Sequence, residues 1–149
     1  MLQSSEVETI YSEEAERAVL SSLMLDATAL EDYDLAAEDF YRTPYQRIFS
    51  VIQELTAKNI QPDLVSVGAA LRDKGQIEEC GGSSEIAEIA CELPSIAATP
   101  HHAALVKEYA LRRKLHTLGR ELVMLSANGE TSEAMQRTID RVLQPINQG

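Results

Sequence analysis

A chain of 149 residues with 44% hydrophobic content has the size of one domain and enough apolar side chain for a core, which aliphatic residues must build because there is no Trp and only 2 Phe. No apolar run reaches the roughly 18 residues of a membrane span, and Met1-Leu2-Gln3-Ser4-Ser5-Glu6 lacks the basic-then-apolar order of a secretion signal. The expected compartment is the cytoplasm, with Cys80 and Cys91 as reduced, buried thiols. The net charge of −11 is unevenly spread: residues 1–99 hold 6 Lys and Arg against 19 Asp and Glu (net −13), and residues 100–149 hold 7 against 5 (net +2). The acidic front half repels phosphate backbones, and the tail is too sparsely basic to make a DNA footprint.

Helix signals follow one another along the chain. Ser12 is a good N-cap for a helix running to Leu25, with Ala15, Ala18, Val19 and Leu23 on one face. Asp26 suits the start of a short second helix, and the stretch Asp32–Leu35 is ambiguous. Thr43-Pro44 reads as cap plus first-turn proline. The helix it opens carries Ile48, Phe49, Ile52 and Leu55 inward and stops at Asn59, a residue that tolerates left-handed backbone. Pro62-Asp63 reads as loop, and Ser66 opens a helix with Val67, Ala70 and Leu71 inward that Gly75 closes. Gly81-Gly82-Ser83 precedes a further helix near Glu85–Leu93, ended by Pro94-Ser95. No window alternates as a half-buried strand does, so the chain is predicted all-α.

From Thr99-Pro100 to Asn128-Gly129 there is no further Pro, and Gly119 is the one Gly inside the stretch. This predicts a single helix of about 28 residues, roughly 42 Å long at 1.5 Å per residue. Leu111, Leu115, Leu118, Leu122 and Leu125 repeat at spacings of 4, 3, 4 and 3, a heptad seam. After Gly129, Thr131 or Ser132 starts a last helix, in which Met135, Ile139, Val142 and Ile146 repeat the pattern. Two seams joined by so short a turn make an antiparallel hairpin. The expected organisation is a flexible N-terminus over 1–11, a head of five to six short helices over 12–98 and a hairpin over 99–149. The hairpin's stripes need cover, from the head or from another chain, and Leu105, Val106, Tyr109, Val123 and Met124 add apolar surface off the seam. Gly119 suits a close helix–helix approach.

No catalytic, cofactor-binding or metal-ligating residues are expected. Neither Gly-x-x-x-x-Gly-Lys nor Gly-x-Gly-x-x-Gly occurs, and Gly81-Gly82 reads as a turn. His101 and His102 are adjacent and diverge on a helix, with His116 about four turns further on. Neither cysteine has a His within a few residues. Glu13-Glu14-Glu16 and Glu78-Glu79 read as solvated faces, the first run favoured by its helix N-terminus. Arg112-Arg113-Lys114, with Tyr109 nearby, is the one basic cluster. It either flanks the seam, pairing with neighbours such as Glu108, or docks an acidic partner surface.

The order of these motifs resembles the N-terminal domain of DnaB-type replicative DNA helicases. The resemblance is carried by the run Ser12–Leu20 ending Leu23-Met24-Leu25-Asp26; by Glu38-Asp39-Phe40-Tyr41; by Pro44, Arg47, Ile48 and Phe49; and by Asp63 before Val67–Leu71. Gly75-Gln76, Gly81-Gly82, Glu92-Leu93-Pro94-Ser95 and the long helix with Arg112 complete it, over about residues 12–146. Ser21-Ser22 departs from a small pair usually including Gly, Tyr45 stands where His is common, Pro62 where an aliphatic residue is usual, Glu85 where an aromatic is common and Ala98 where Asn is. The resemblance implies hairpins that pair between subunits into a hexameric collar, a trimer of dimers. It also implies docking of the primase C-terminal domain, and sometimes of a helicase loader. ATP and Mg would belong to a motor domain beyond residue 149, and DNA would be met only through the full-length hexamer. The competing expectation is a stand-alone adaptor or loader-like regulator that reuses the fold.

Overall fold

The computed structural model describes residues 10–92 and 99–147, with side chains to Gln144. Among these residues there is no strand; six α-helices and two short 3-10 segments make an all-α fold, as expected. Helix α1 (Glu13–Leu25) starts where Ser12 Oγ accepts the Ala15 N–H at 3.1 Å. Its environment is more enclosing than one apolar face would require, because every residue from Ala18 to Met24 is buried. Asp26 then caps as expected, accepting the Thr28 N–H at 3.0 Å, and the chain continues as a 3-10 segment over Ala27–Tyr33. A second such segment covers Ala37–Asp39.

Helix α2 (Thr43–Ala57) corrects the expected cap by one residue. Arg42 occupies the cap position and Thr43 lies inside the helix, with Pro44 in the first turn where its missing N–H leaves no donor to satisfy. Helix α3 (Leu64–Asp73) is opened by Asp63 and not by Ser66. The Asp63 carboxylate accepts the Ser66 N–H at 2.8 Å, and the Ser66 hydroxyl accepts the Asp63 N–H at 2.9 Å, so the pair satisfies two end donors reciprocally. Helix α4 (Gly82–Ala90) begins three residues before Glu85, because Gly81 at φ +89° supplies the left-handed turn into it. It ends at Ala90, and the expected stop at Leu93-Pro94-Ser95 falls outside the described residues.

Helix α5 (Thr99–Ala127) has 29 residues and α6 (Ser132–Asn147) has 16. Three helices end in the same way. Asn59, Gly75 and Gly129 take positive φ, and the next residue's N–H reaches back to Leu55, Leu71 and Leu125 respectively at 2.8–3.0 Å. Thr131 Oγ1 accepts the Ala134 N–H at 3.2 Å and so caps α6.

The chain falls into two compact units, a head of Tyr11–Ala110 and a second unit built on Leu111–Gly149, with α5 contributing to both. In the head, Phe40 and Phe49 meet at 4.9 Å between ring centroids, surrounded by fully buried Leu20, Leu23, Ile48, Ile52, Leu71, Ile86 and Ile89. Ala103 and Val106, on the opening turns of α5, complete this core. The Ser22 and Thr99 hydroxyls share a buried hydrogen bond of 2.7 Å. The cysteines are free but differ from expectation: Cys80 is buried, whereas Cys91, at the C-terminal end of α4, is exposed.

Candidate self-association and docking surfaces

In the second unit, α5 and α6 form the expected hairpin around the turn at Gly129, tied by an ion pair of 3.1 Å between Arg141 and Glu121. The leucine seam does not behave as one stripe. Leu118 is buried; Leu111, Leu122 and Leu125 are half-buried, as are Met135, Ile139 and Val142 on α6. Leu115 is 45% exposed. The side chain of Ile146 lies outside the described residues. Val123 and Met124 are 64% and 63% exposed. A shallow groove runs between the two helices, floored by Leu122, Val123, Met135 and Ile139 and edged by Ser126, Ser132 and Gln136. The hairpin thus turns part of its apolar surface inward and leaves a second part open.

Of the basic cluster, Arg112 is exposed while Arg113 and Lys114 are half-buried. Arg113 donates to the backbone carbonyl of Ile10 at 2.7 Å, a tie across 103 positions that the local charge pattern gave no reason to expect. Tyr109 is half-buried and belongs to the head unit.

The head carries a polar junction that the sequence reading missed. Arg17 on α1 donates to Tyr45 Oη on α2 at 3.0 Å, and also bonds the carboxylates of Glu85 on α4 and Glu92 just beyond it. Tyr45 in turn donates to Glu13 at 2.9 Å, and Glu13 pairs with Arg42 at 2.7 Å. Burial opposes ionisation of Arg17, but the hydrogen bonds to Tyr45, Glu85 and Glu92 hold its pKa above the ordinary guanidinium value. Burial likewise pushes the Tyr45 phenol up to about 12 against the pull of Arg17, so it stays a neutral donor. The local pattern around Tyr45 and Glu85 gave no sign of this; only the fold shows that both meet Arg17. The acidic run at the start of α1 is also not a solvated face throughout. Glu16 is 1% exposed and accepts the Tyr41 N–H at 3.0 Å, so it links α1 to the segment before α2.

A second apolar groove in the head lies between α3 and α4, along Leu64, Val65, Ala69, Ile86 and Ala87, with Arg72 at its rim. Val65 is 76% exposed there. Among the described residues no group of three or more His, Cys, Asp or Glu is placed to hold a metal ion, and no helix is long and apolar enough to cross a membrane.

Residues 8–108 match the family model described as the DnaB-like helicase N-terminal domain. The chain is 36% identical over 122 residues to the replicative DNA helicase DnaB of Geobacillus stearothermophilus, covering 80% of this chain and 26% of that protein. It is 33% identical over 133 residues to the DnaB of Treponema pallidum, covering 85% and 30%. The chain therefore spans between a quarter and a third of the length of these relatives. Its fold matches the crystal structure of the N-terminal domain of DnaB helicase from Mycobacterium tuberculosis with a TM-score of 0.79 at 28% identity, over 92% of this chain and 97% of that one. It also matches a DnaB-like replicative helicase whose structure was described with its interactions with primase, with a TM-score of 0.75 at 22% identity, over 92% of this chain and 34% of that one. This chain belongs to the DnaB-like helicase N-terminal domain family.

Proposed function

We propose that this chain is the assembly and docking segment of a hexameric replicative DNA helicase, itself without a catalytic centre. The observation that carries this is the hairpin face: an ordered pair of long helices that leaves Leu115 and Val123 beside an apolar groove in water. Exposed apolar patches of this kind mark protein contacts. Two copies pair through their hairpins, and three such pairs close into a collar. The collar serves as a dock for the C-terminal domain of primase and, in some systems, for a helicase loader. ATP and Mg act in a separate motor domain of the full-length helicase, and DNA is engaged by that hexamer in the cytoplasm. The acidic head, net −13 over residues 1–99, suits contact with proteins more than with phosphate backbones. The description of one fold neighbour together with its interactions with primase supports the same reading.

Titration of the 149-residue chain with the C-terminal domain of its cognate primase tests the docking role. Saturable binding, weakened by reversing charges on Arg112 and Lys114, is the expected outcome. No binding at high micromolar concentrations of both proteins would contradict the proposal.

A further inference from the structure

The groove between α3 and α4 is apolar along its length and basic at one end. Leu64, Val65 and Ala69 on α3 and Ile86 and Ala87 on α4 line a space of about 430 Å³, within the roughly 300–1,000 Å³ that ligand pockets span. Small residues keep it open: Ala69 is exposed, and a Cβ built on Gly68 would meet the Arg72 guanidinium at 3.8 Å and nothing closer. Leu64 and Val65 are 39% and 76% exposed at one end. Arg72 closes the other end, where its Nη2 donates to Ser83 Oγ at 2.6 Å, so the guanidinium is held between the two helices. Of the seven Lys and Arg within Tyr11–Ala110, Arg17, Arg42, Arg47, Lys74 and Lys107 each pair with a carboxylate. Among the described residues Arg72 has the Ser83 hydroxyl as its partner and no carboxylate, although residues 1–99 hold 19 Asp and Glu. Asp73 diverges from it by about 100° on the helix, Asp63 caps α3 at the other end, and Glu85 is bonded to Arg17.

We infer that this groove docks a short amphipathic segment of another protein, one that carries aliphatic side chains followed by a carboxylate. The dock is built from the head alone and requires neither hairpin pairing nor primase binding. The apolar walls select aliphatic side chains, and charge selects the rest of the occupant. A basic segment would be repelled by Arg72. A wholly apolar one would strip water from a guanidinium and put nothing in its place, which is costly. A carboxylate meets a cation already positioned by Ser83, with further N–H donors to offer in the planar fork that carboxylates fit. The net −13 of residues 1–99 disfavours strongly acidic partners, so the charge this site selects is a single carboxylate matched to Arg72. Spacing follows from α3 itself. Val65 and Arg72 stand two turns apart, about 10 Å at 1.5 Å per residue. A helix laid along α3 would therefore carry its carboxylate two turns from its first aliphatic anchor, with a second anchor over Ala69 between them.

The probes are three short Ala-rich helical peptides. One carries two Leu a turn apart and a Glu two turns from the first Leu; the second has Lys in place of Glu; the third has Ser in place of both Leu. Each is titrated against the 149-residue chain while the backbone amide signals of Val65, Ala69, Arg72 and Ala87 are followed by NMR. The Leu–Glu peptide should shift these signals saturably, and the Lys and Ser peptides should bind about tenfold or more weakly. Arg72→Glu should reverse the preference between the Glu and Lys peptides with helical content unchanged, an exchange that a loss of fold could not produce. Equal binding of the Glu and Lys peptides to the parent, no saturable shift with any probe at millimolar concentration, or shifts confined to other surfaces would overturn the proposal. So would a change in the sedimentation of the peptide-free chain on Val65→Ser, which would assign the groove to a second copy of this chain instead.

Discussion

The head and the hairpin bury their apolar residues by different means. In the head, phenylalanines, isoleucines and leucines from four helices, with the opening turns of α5, reach full burial within one chain. In the hairpin, the described residues include one fully enclosed seam leucine, Leu118, with the rest half-buried or exposed. A region that closes its own core can fold alone; a two-helix region with an open apolar face gains further stability from whatever covers that face. The difference separates a unit that encloses its core from one that leaves apolar surface open, and substitutions in the two regions should fail in different ways.

The largest effect is expected at Phe49. It is fully buried against Phe40, and Phe49→Ala should destabilise the head by about 3–5 kcal/mol, seen as a large fall in the denaturant midpoint. Leu118→Asp places a charge in the enclosed part of the hairpin seam. It should abolish self-association while the head retains its helical signal, and an unchanged oligomer would show that the seam serves only its own chain. Val123→Asp separates the two roles more finely. Val123 is 64% exposed, so thermal stability measured at low micromolar concentration should move by no more than about 0.5 kcal/mol, while association measured by sedimentation weakens.

The seam illustrates what the residue pattern could and could not reveal. A spacing of 4, 3, 4 and 3 identifies five leucines on one side of a helix, and it correctly implied a long hairpin. It could not divide that side into an inner stripe and an outer one, because Leu115 differs from its neighbours only by a fraction of a turn. Stop signals were legible because they are local: Asn59, Gly75 and Gly129 each end a helix by their own backbone preference. The helix starts at Arg42 and Asp63 were off by one and three residues, since Arg42 caps without a side-chain bond and Ser66 shares the capping pair with Asp63. The Arg17 junction and the burial of Glu16 were invisible, because their partners lie 25 to 75 positions away. A run of glutamates at a helix N-terminus has a sufficient local explanation, which conceals the tertiary one. Cys91 was misjudged on composition alone, and its place at the C-terminal end of α4 sets its exposure.

Smaller effects sharpen the picture of the head. Arg17→Ala removes the donor shared by Tyr45, Glu85 and Glu92 and should cost about 2 kcal/mol by chemical denaturation, without changing the sedimentation of the folded chain. Asp63→Ala removes the cap of α3 at a cost of about 1 kcal/mol. The Ser66 N–H holds the Asp63 carboxyl below its ordinary value. Its contribution is therefore present above the unfolded carboxyl pKa and is lost as pH falls through the lower folded value. Stability of Asp63→Ala and of the parent should converge in that acidic range and differ at neutral pH.

Sedimentation equilibrium of the 149-residue chain, followed from low to high micromolar concentration at moderate salt, bears on the open hairpin face most directly. A reversible transition to a dimer or larger species is expected. A monomer across the whole range would contradict it.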